Sequence, residues 1–442
     1  MSVAALILTS AALAGPGKSA GRPVEADTGE PFIVGSIQQP EGVTEFSQLL
    51  QGSDASGQAG IINLRLGDRG AETRFVAELS RDLPAQYQVF TLANPWRVVI
   101  DVKNTPFALG DNTASHALGL VTAYRFGRYQ NDISRIVIET RSPVTVTRNF
   151  VLEPQGGFGR RIVLDMAATD DATFLRTAQA ADMPVNPAVP PQAAPVAALS
   201  VPLAPPYSRP ADRHVVVIDA GHGGVDPGTH SRNGIDEKNV VLAFAKAFAK
   251  KLRATGRYDV YLTRDDDTFI PLRQRVAIAR QHKADLFISI HADSIQKSDV
   301  RGMSIYTLSE TASDKEAAAL AAKENQSDLI AGVDLQGESP EVTGILIDLA
   351  QRETKNYSAR FARSVVDYAS RTTTLLDPAH RFAGFVVLKA PDVPSVLVEL
   401  GFLTNRNDEK QITSSKWRSN TADAFTRAVD RYFGERMAEG PR

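Results

Sequence analysis

The chain has 442 residues, 43% of them hydrophobic and 23% charged, and a formal net charge of −2. That balance excludes a wholly disordered, collagen-like or multi-span membrane chain and supplies no basic field for nucleic acid. Cysteine is absent, which excludes disulfides, thiolate metal sites and cysteine nucleophiles and leaves His, Asp and Glu as metal ligands.

Val3 to Ala14 reads VAALILTSAALA. It has the length of an export signal, ends in the small-x-small triplet Ala12-Leu13-Ala14, and is shorter than the roughly 20 residues a bilayer span needs. Residues 1–20 are therefore predicted to be a signal peptide. The mature protein is expected in the periplasm, with no integral membrane segment. Residues 21–60, rich in Gly, Ser, Gln and Pro, are predicted to be poorly ordered. Residues 61–168 change to short β-branched runs: Trp96 to Val102, Arg135 to Glu139, Pro143 to Thr147 and Arg161 to Asp165. They predict a small all-β, sandwich-like domain. Its single histidine, His116, and the lack of a ligand cluster make it a binding module rather than a second catalytic site. Residues 169–212 read as a linker, because nine of the 25 prolines fall between Pro184 and Pro210. Such a spacer is semi-rigid and able to hold two domains several tens of Å apart.

Residues 213–436 alternate strands and helices and predict an α/β domain, a twisted sheet flanked by helices. The predicted strands are His214 to Ala220, Tyr258 to Thr263, Asp285 to Ile290, Met303 to Leu308, Gly384 to Leu388 and Ser395 to Leu400. Glu237 to Leu252 is an amphipathic helix with Val240, Val241, Phe244, Phe248 and Leu252 on one face. Further helices are predicted at Leu272 to His282 and Ala422 to Phe433, and a charged helical stretch at Thr311 to Arg371.

Chemistry gathers at three strand ends, where α/β sheets place functional residues. His222 follows the first strand in VVVIDAGHGG, His291 ends another in SIHADS, and Glu399 lies in the apolar strand VLVELGF, where an ionised carboxylate is costly unless paired or ligating. Glu237 opens the helix after the Gly-rich loop. Two His and one carboxylate with one open position is the make-up of a hydrolytic zinc site, and a further carboxylate can act as general base. These residue types leave open which Glu does which. Each residue alone has a plainer reading, as a strand-end cap or a helix-dipole partner. Gly221-His222-Gly223-Gly224 lacks the spacing of a phosphate loop. His230, in a nearby loop, is the one further candidate.

The stretches VVIDAGHGGVDPG, IDEKNVVL, LTRDDD with LRQRVAIAR, FISIHADS and FVVLKAPDVPSVLVELGFLTN resemble, in order and spacing, the zinc-dependent N-acetylmuramoyl-L-alanine amidases that trim peptidoglycan. The resemblance implies one Zn2+ per chain bound by His222, Glu237 and His291, with Glu399 as the catalytic carboxylate. It also implies cleavage of the amide between N-acetylmuramic acid and L-alanine during septal splitting and cell separation. A zinc peptidase acting on stem peptides and a non-catalytic peptidoglycan-binding scaffold are the alternatives. The β-domain resembles the AMIN domain of such enzymes and implies envelope targeting, with Arg65, Arg74, Arg97, Arg125 and Arg128 as candidate contacts to an anionic glycan or stem peptide. The stretch 309–382 resembles the regulatory insertion of the cell-separation branch, whose helix plugs the zinc site until a periplasmic LytM-type activator displaces it. Glu324, in KENQSDLIAGVD, is the expected plugging carboxylate, with Glu316 and Glu338 as rivals. The following Leu329, Ile330, Val333 and Leu335 are expected either to bind the activator or to pack on the core.

Overall fold

The computed structural model of the chain describes residues 59–80, 83–109, 117–130, 132–180, 213–294, 300–333 and 345–438. The predicted signal peptide, residues 21–58 of the predicted disordered stretch, residues 181–212 of the linker, and His116, Leu335 and Glu338 lie outside the described residues.

Eight strands build the N-terminal domain: β1 (Ile61–Asp68), β2 (Glu72–Leu79), β3 (Tyr87–Leu92), β4 (Arg97–Lys103), β5 (Val121–Tyr129), β6 (Ile133–Thr140), β7 (Val144–Leu152) and β8 (Arg161–Ala168). They form the antiparallel sheets β1-β2-β8-β7 and β5-β6-β4-β3. Alternate side chains of the two sheets meet in one core, with Phe75, Ala77, Ile162 and Leu164 from one sheet and Val98, Ile100, Ile136 and Ile138 from the other. This is the interdigitation of a β-sandwich. Helix α1 (Asp171–Ala180) seals it by burying Phe174 in the same core. The helix that follows the last strand therefore packs on the β-domain instead of opening the spacer.

The out-of-phase residues Val99 and Val137 are also buried, in a second cluster with Val225, Phe269 and Ala331. Hence the β4 and β6 runs are continuously apolar: one face meets the opposite sheet, and the other is covered by the second half of the chain. The tie includes backbone. The two-residue strand β11 (Thr268–Phe269) pairs in parallel with β5, and a Cβ on Gly127 would lie 2.2 Å from Gly224 C and Val225 N. The β-domain is thus docked on the catalytic half.

The second domain runs β9 (His214–Ala220), α2 (Glu237–Ala254), β10 (Tyr258–Leu262), β11, α3 (Leu272–Gln281), β12 (Leu286–His291), β13 (Met303–Leu308), α4 (Lys315–Glu324), α5 (Ser327–Ile330), α6 (Ile345–Ala369), β14 (Leu375–Ala383), β15 (Ser395–Glu399), α7 (Arg406–Ile412) and α8 (Ser415–Ala438). The sheet order is β10-β9-β12-β15-β13-β14, with only β13 and β15 antiparallel to each other. One face packs on α2, α6 and α8 through Val241, Phe244, Phe361, Val365 and Phe425. The other packs on α3 and α4 through Leu272, Ala279, Ala317, Leu320 and Ala321.

Two expectations differ from this. Gly384 to Leu388 is not a strand: Val386–Leu388 form a 3-10 turn that buries Val387 and Leu388. A short apolar run does not distinguish a strand from a buried turn. The stretch 309–382 is not one insertion either. It contains α6, buried in the main core, and β14, which hydrogen-bonds along β13; among its described residues, those of α4 and α5 reach the site. No described helix is long and apolar enough to cross a membrane.

Candidate metal centre

The three central strands β9, β12 and β15 deliver the site. In register, Ile290 pairs with Ala220 and His291 with Glu399, so the carboxyl ends of adjacent strands bring His222, His291 and Glu399 to one place. Glu237 comes from the first turn of α2 and is fully buried. The loop between β9 and α2 is tightly made. A Cβ on Gly221 would sit 2.5 Å from His291 Nε2 and Cε1, so only glycine lets that ring lie over the backbone. His222 takes φ +57°, a left-handed conformation that a non-glycine residue holds only when its surroundings enforce it. Arg275 enforces it. This guanidinium is 1% exposed and donates to the carbonyls of Ala220 (2.7 Å), His222 (2.7 Å) and Ile270 (2.7 Å) and to Asp219 (2.9 Å). Arg264 adds bonds to the Ala220 and Gly221 carbonyls.

Four side chains face a common centre. His222 Nε2 lies 3.2 Å from Glu237 Oε1 and 3.4 Å from Glu324 Oε2, and His291 Nδ1 lies 3.4 Å and 2.9 Å from the same two oxygens. Four ligands about 2.0–2.1 Å from a tetrahedral ion stand about 3.3 Å apart, so this spacing fits a zinc-sized cation. Hydrogen bonding agrees. His222 Nε2, His291 Nδ1, both Glu324 oxygens and Glu399 Oε1 are buried and make no hydrogen bond, a costly state unless something else satisfies them. The other ring nitrogen of His222 donates to Asp226 Oδ2 at 2.8 Å, which fixes the ring and directs Nε2 inward. Glu237 Oε1 accepts from Ala292 N (2.8 Å) and its Oε2 from Thr229 N (3.0 Å).

The electrostatics match a cation-binding cluster. Burial pushes the imidazoles down, yet neighbouring carboxylates outweigh it. Glu237, Asp226 and Glu324 hold His222 well above the ordinary histidine value, and Glu324 and Glu237 push His291 up to about 10. Burial raises Glu237, but His222 and His291 bring it well below its usual range. What favours a proton on each imidazole favours a divalent cation in its place. Glu399 goes the other way: its burial raises the carboxyl well above the usual range. Its Oε2 accepts from Asp293 N at 2.9 Å, leaving Oε1 without a hydrogen bond.

The fourth side chain, Glu324, is the last residue of α4. Helix α4 is held there by Lys323, which bonds Asp293, Thr229 Oγ1 (2.7 Å) and Ser294 Oγ (3.1 Å). Ser327, opening α5, donates to Asp226. The rival Glu316 is exposed in the first turn of α4, about two turns before Glu324. His230 is also exposed and pairs with Asp236 at 2.6 Å, away from the centre. Asp226, Asp293, Lys323, Arg264 and Arg275 carry no role in the sequence reading. All stand inside the stretches quoted for the resemblance, and Asp226 follows His222 by four residues. The candidate β-domain arginines already have partners: Arg65 with Glu78, Arg74 with Asp165, Arg125 with Glu139 and Arg128 with Asp266. Arg97 is 2% exposed and donates to backbone carbonyls.

Residues 216–431 match the family described as N-acetylmuramoyl-L-alanine amidase, and residues 63–170 match the AMIN domain. The N-acetylmuramoyl-L-alanine amidase AmiC of Neisseria meningitidis serogroup B is 34% identical over 383 residues, covering 81% of this chain and 86% of that protein. The enzyme of the same name from Escherichia coli is 32% identical over 394 residues, 85% of this chain and 90% of the relative. The Escherichia coli amidase AmiA is 40% identical over 230 residues, 52% of this chain and 79% of that one.

Proposed function

The chain belongs to the N-acetylmuramoyl-L-alanine amidase family, and we propose on that footing that it cleaves the amide between the lactyl group of N-acetylmuramic acid and L-alanine in peptidoglycan, using His222, Glu237 and His291 to hold one zinc ion and Glu399 as general acid and base. The observation that carries the site assignment is the convergence of His222 Nε2 and His291 Nδ1 on Glu237 Oε1 at 3.2 and 3.4 Å. Zinc, when bound, supplies Lewis acidity and a water acidified to near neutrality.

The chain's own residues do the rest. Asp226 orients His222 through Nδ1, and Arg275 and Arg264 hold the loop that carries it. Glu399 is pinned by Asp293 N at Oε2, so Oε1 is the atom that takes the proton of the attacking water and returns it to the departing amine.

The substrate places the working enzyme in the cell envelope, hence export, and daughter-cell separation is the setting in which septal wall is split. Glu324 occupies the remaining direction of the ligand set and blocks it at rest. A periplasmic activator of LytM type that displaces α4 and α5 opens the site. Purified peptidoglycan incubated with the protein, with and without chelator, tests the reaction. Mass analysis should show free stem peptides with L-alanine at the amino end, lost on chelation and regained with zinc. Cleavage within the stem peptide instead would move the assignment to a peptidase.

A further inference from the structure

The segment that follows α5 lies against the outer face of the β-domain. Arg97, on β4, donates to the Leu329 carbonyl. Arg135, on β6, donates from Nη1 to the carbonyls of Gly332 (2.7 Å) and Ala331 (3.2 Å), while its Nε and Nη2 grip Asp101 at 2.7 Å each. Both guanidiniums are buried, and Arg135 stacks 3.5 Å from the Tyr129 ring centroid. Between them Ala331 and Val333 pack on Leu92, Val99 and Val137. These are charge-assisted bonds in a dry setting, the strong kind.

The β-domain is itself held by parts of the second domain outside α4 and α5: β11 pairs with β5, Arg128 pairs with Asp266, and Gly127 abuts Gly224 and Val225. It therefore presents a face docked on the catalytic domain to a segment that also touches the metal centre, through Glu324 to the two histidines and through Ser327 to Asp226.

We propose that the β-domain is the latch of the blocked site: Arg97 and Arg135 hold the carbonyls of residues 329–332, and so keep Glu324 of the same segment between His222 and His291. This rests on the reading of Glu324 as the blocking group. Opening the site requires undocking residues 329–333 from the β-domain. By linkage, whatever parts that face from the segment favours the open form to the same degree.

The test uses the full-length protein with Arg97→Ala and, independently, Gly332→Val. Gly332 holds φ +66°, a conformation a β-branched residue rarely adopts, and a Cβ there would lie 3.1 Å from Val137 Cγ2 and 3.2 Å from Val99 Cγ2, so valine strains the docked segment without touching the β-domain's own bonds. Amide exchange over residues 315–330 and basal stem-peptide release are read for each, alone and combined with Glu324→Ala. Both variants should speed exchange in α4 and α5 and raise basal release several-fold, up to but not beyond the gain of Glu324→Ala itself. Neither should add to Glu324→Ala in the double variants, because all act on one equilibrium. Exchange and release at wild-type levels in a folded Gly332→Val protein would overturn the latch, whether or not Arg97→Ala folds. If Glu324→Ala does not raise release, the blocking reading fails; the exchange of α4 and α5 then decides the latch by itself.

Discussion

Asp226 shows how much of the site depends on a residue that never faces the metal position. It receives His222 Nδ1–H and the Ser327 hydroxyl and is buried with them. Asp226→Asn keeps the shape but weakens the hold on the ring. Metal affinity should drop about 10–100-fold, the usual effect of losing such a partner, in a competition titration against a chromogenic chelator. Unchanged affinity would remove Asp226 from the site's support. Glu399→Gln separates binding from chemistry: the amide oxygen can still accept from Asp293 N, but the amide cannot take up and return a proton. Metal content and wall binding should stay normal while kcat falls by about 10²–10⁴. Turnover at the wild-type level would place the proton carrier elsewhere. The residue-level signals differ in kind. His222, His291 and Glu399 were legible because strand ends in an α/β sheet gather function. Arg275 was not, because an arginine in the pattern LRQR reads as a solvated helix face until the fold shows it buried under the His222 loop.

Helix α4 is an element whose sequence permits a helix without saying where it lies. Its Ala- and Lys-rich composition favours helix, and Asp314 caps it by accepting from Ala317 N at 2.8 Å, yet only its packing beside β14 and the bonds of Lys323 to Asp293, Thr229 and Ser294 aim Glu324 at the histidines. Glu324→Ala should raise basal hydrolysis several-fold at unchanged zinc content, measured as released stem peptide. Excising 309–382 should instead give an unfolded chain, since it removes β14 and α6 from sheet and core; a folded, active excision product would contradict the topology. In the β-domain, strands β2, β7 and β8 are tied by fully buried Asp165, which accepts from Arg74 at 2.6 and 2.7 Å and pairs with Arg148 at 2.8 Å. The Arg74 hydrogen bond, aided by the charges of Arg74 and Arg148, holds its carboxyl below the usual range. A depressed native pKa means that its stabilisation is complete above the unfolded value of about 3.9 and fades as pH falls below it. The Tm gap between wild type and Asp165→Asn should therefore be full at neutral pH and narrow below about pH 4. A gap independent of pH would show that Asp165 contributes by packing alone.

At the scale of the whole molecule, the two domains are joined by a shared sheet edge and a small apolar cluster, although a proline-rich spacer between them is long enough to let them part. Gly127→Val places a side chain where Gly224 and Val225 already are. The domains should separate, seen as a larger radius of gyration by small-angle scattering, while each core stays intact by circular dichroism; an unchanged radius would mean that the apolar cluster alone holds the dock. The sequence by itself determined the α/β and all-β classes and their order along the chain, and it singled out the strand-end residues that the fold brings together, His222, His291 and Glu399. All of these are encoded in local periodicity, composition and motif spacing. The tertiary structure decided what depends on surfaces meeting. Gly384 to Leu388 became a turn, and α6 and β14 joined the catalytic core. The continuously apolar strands β4 and β6 proved to be covered on both faces, because Val99 and Val137 pack against the catalytic half. Periodicity reports that a residue is buried, and only the folded chain specifies against what.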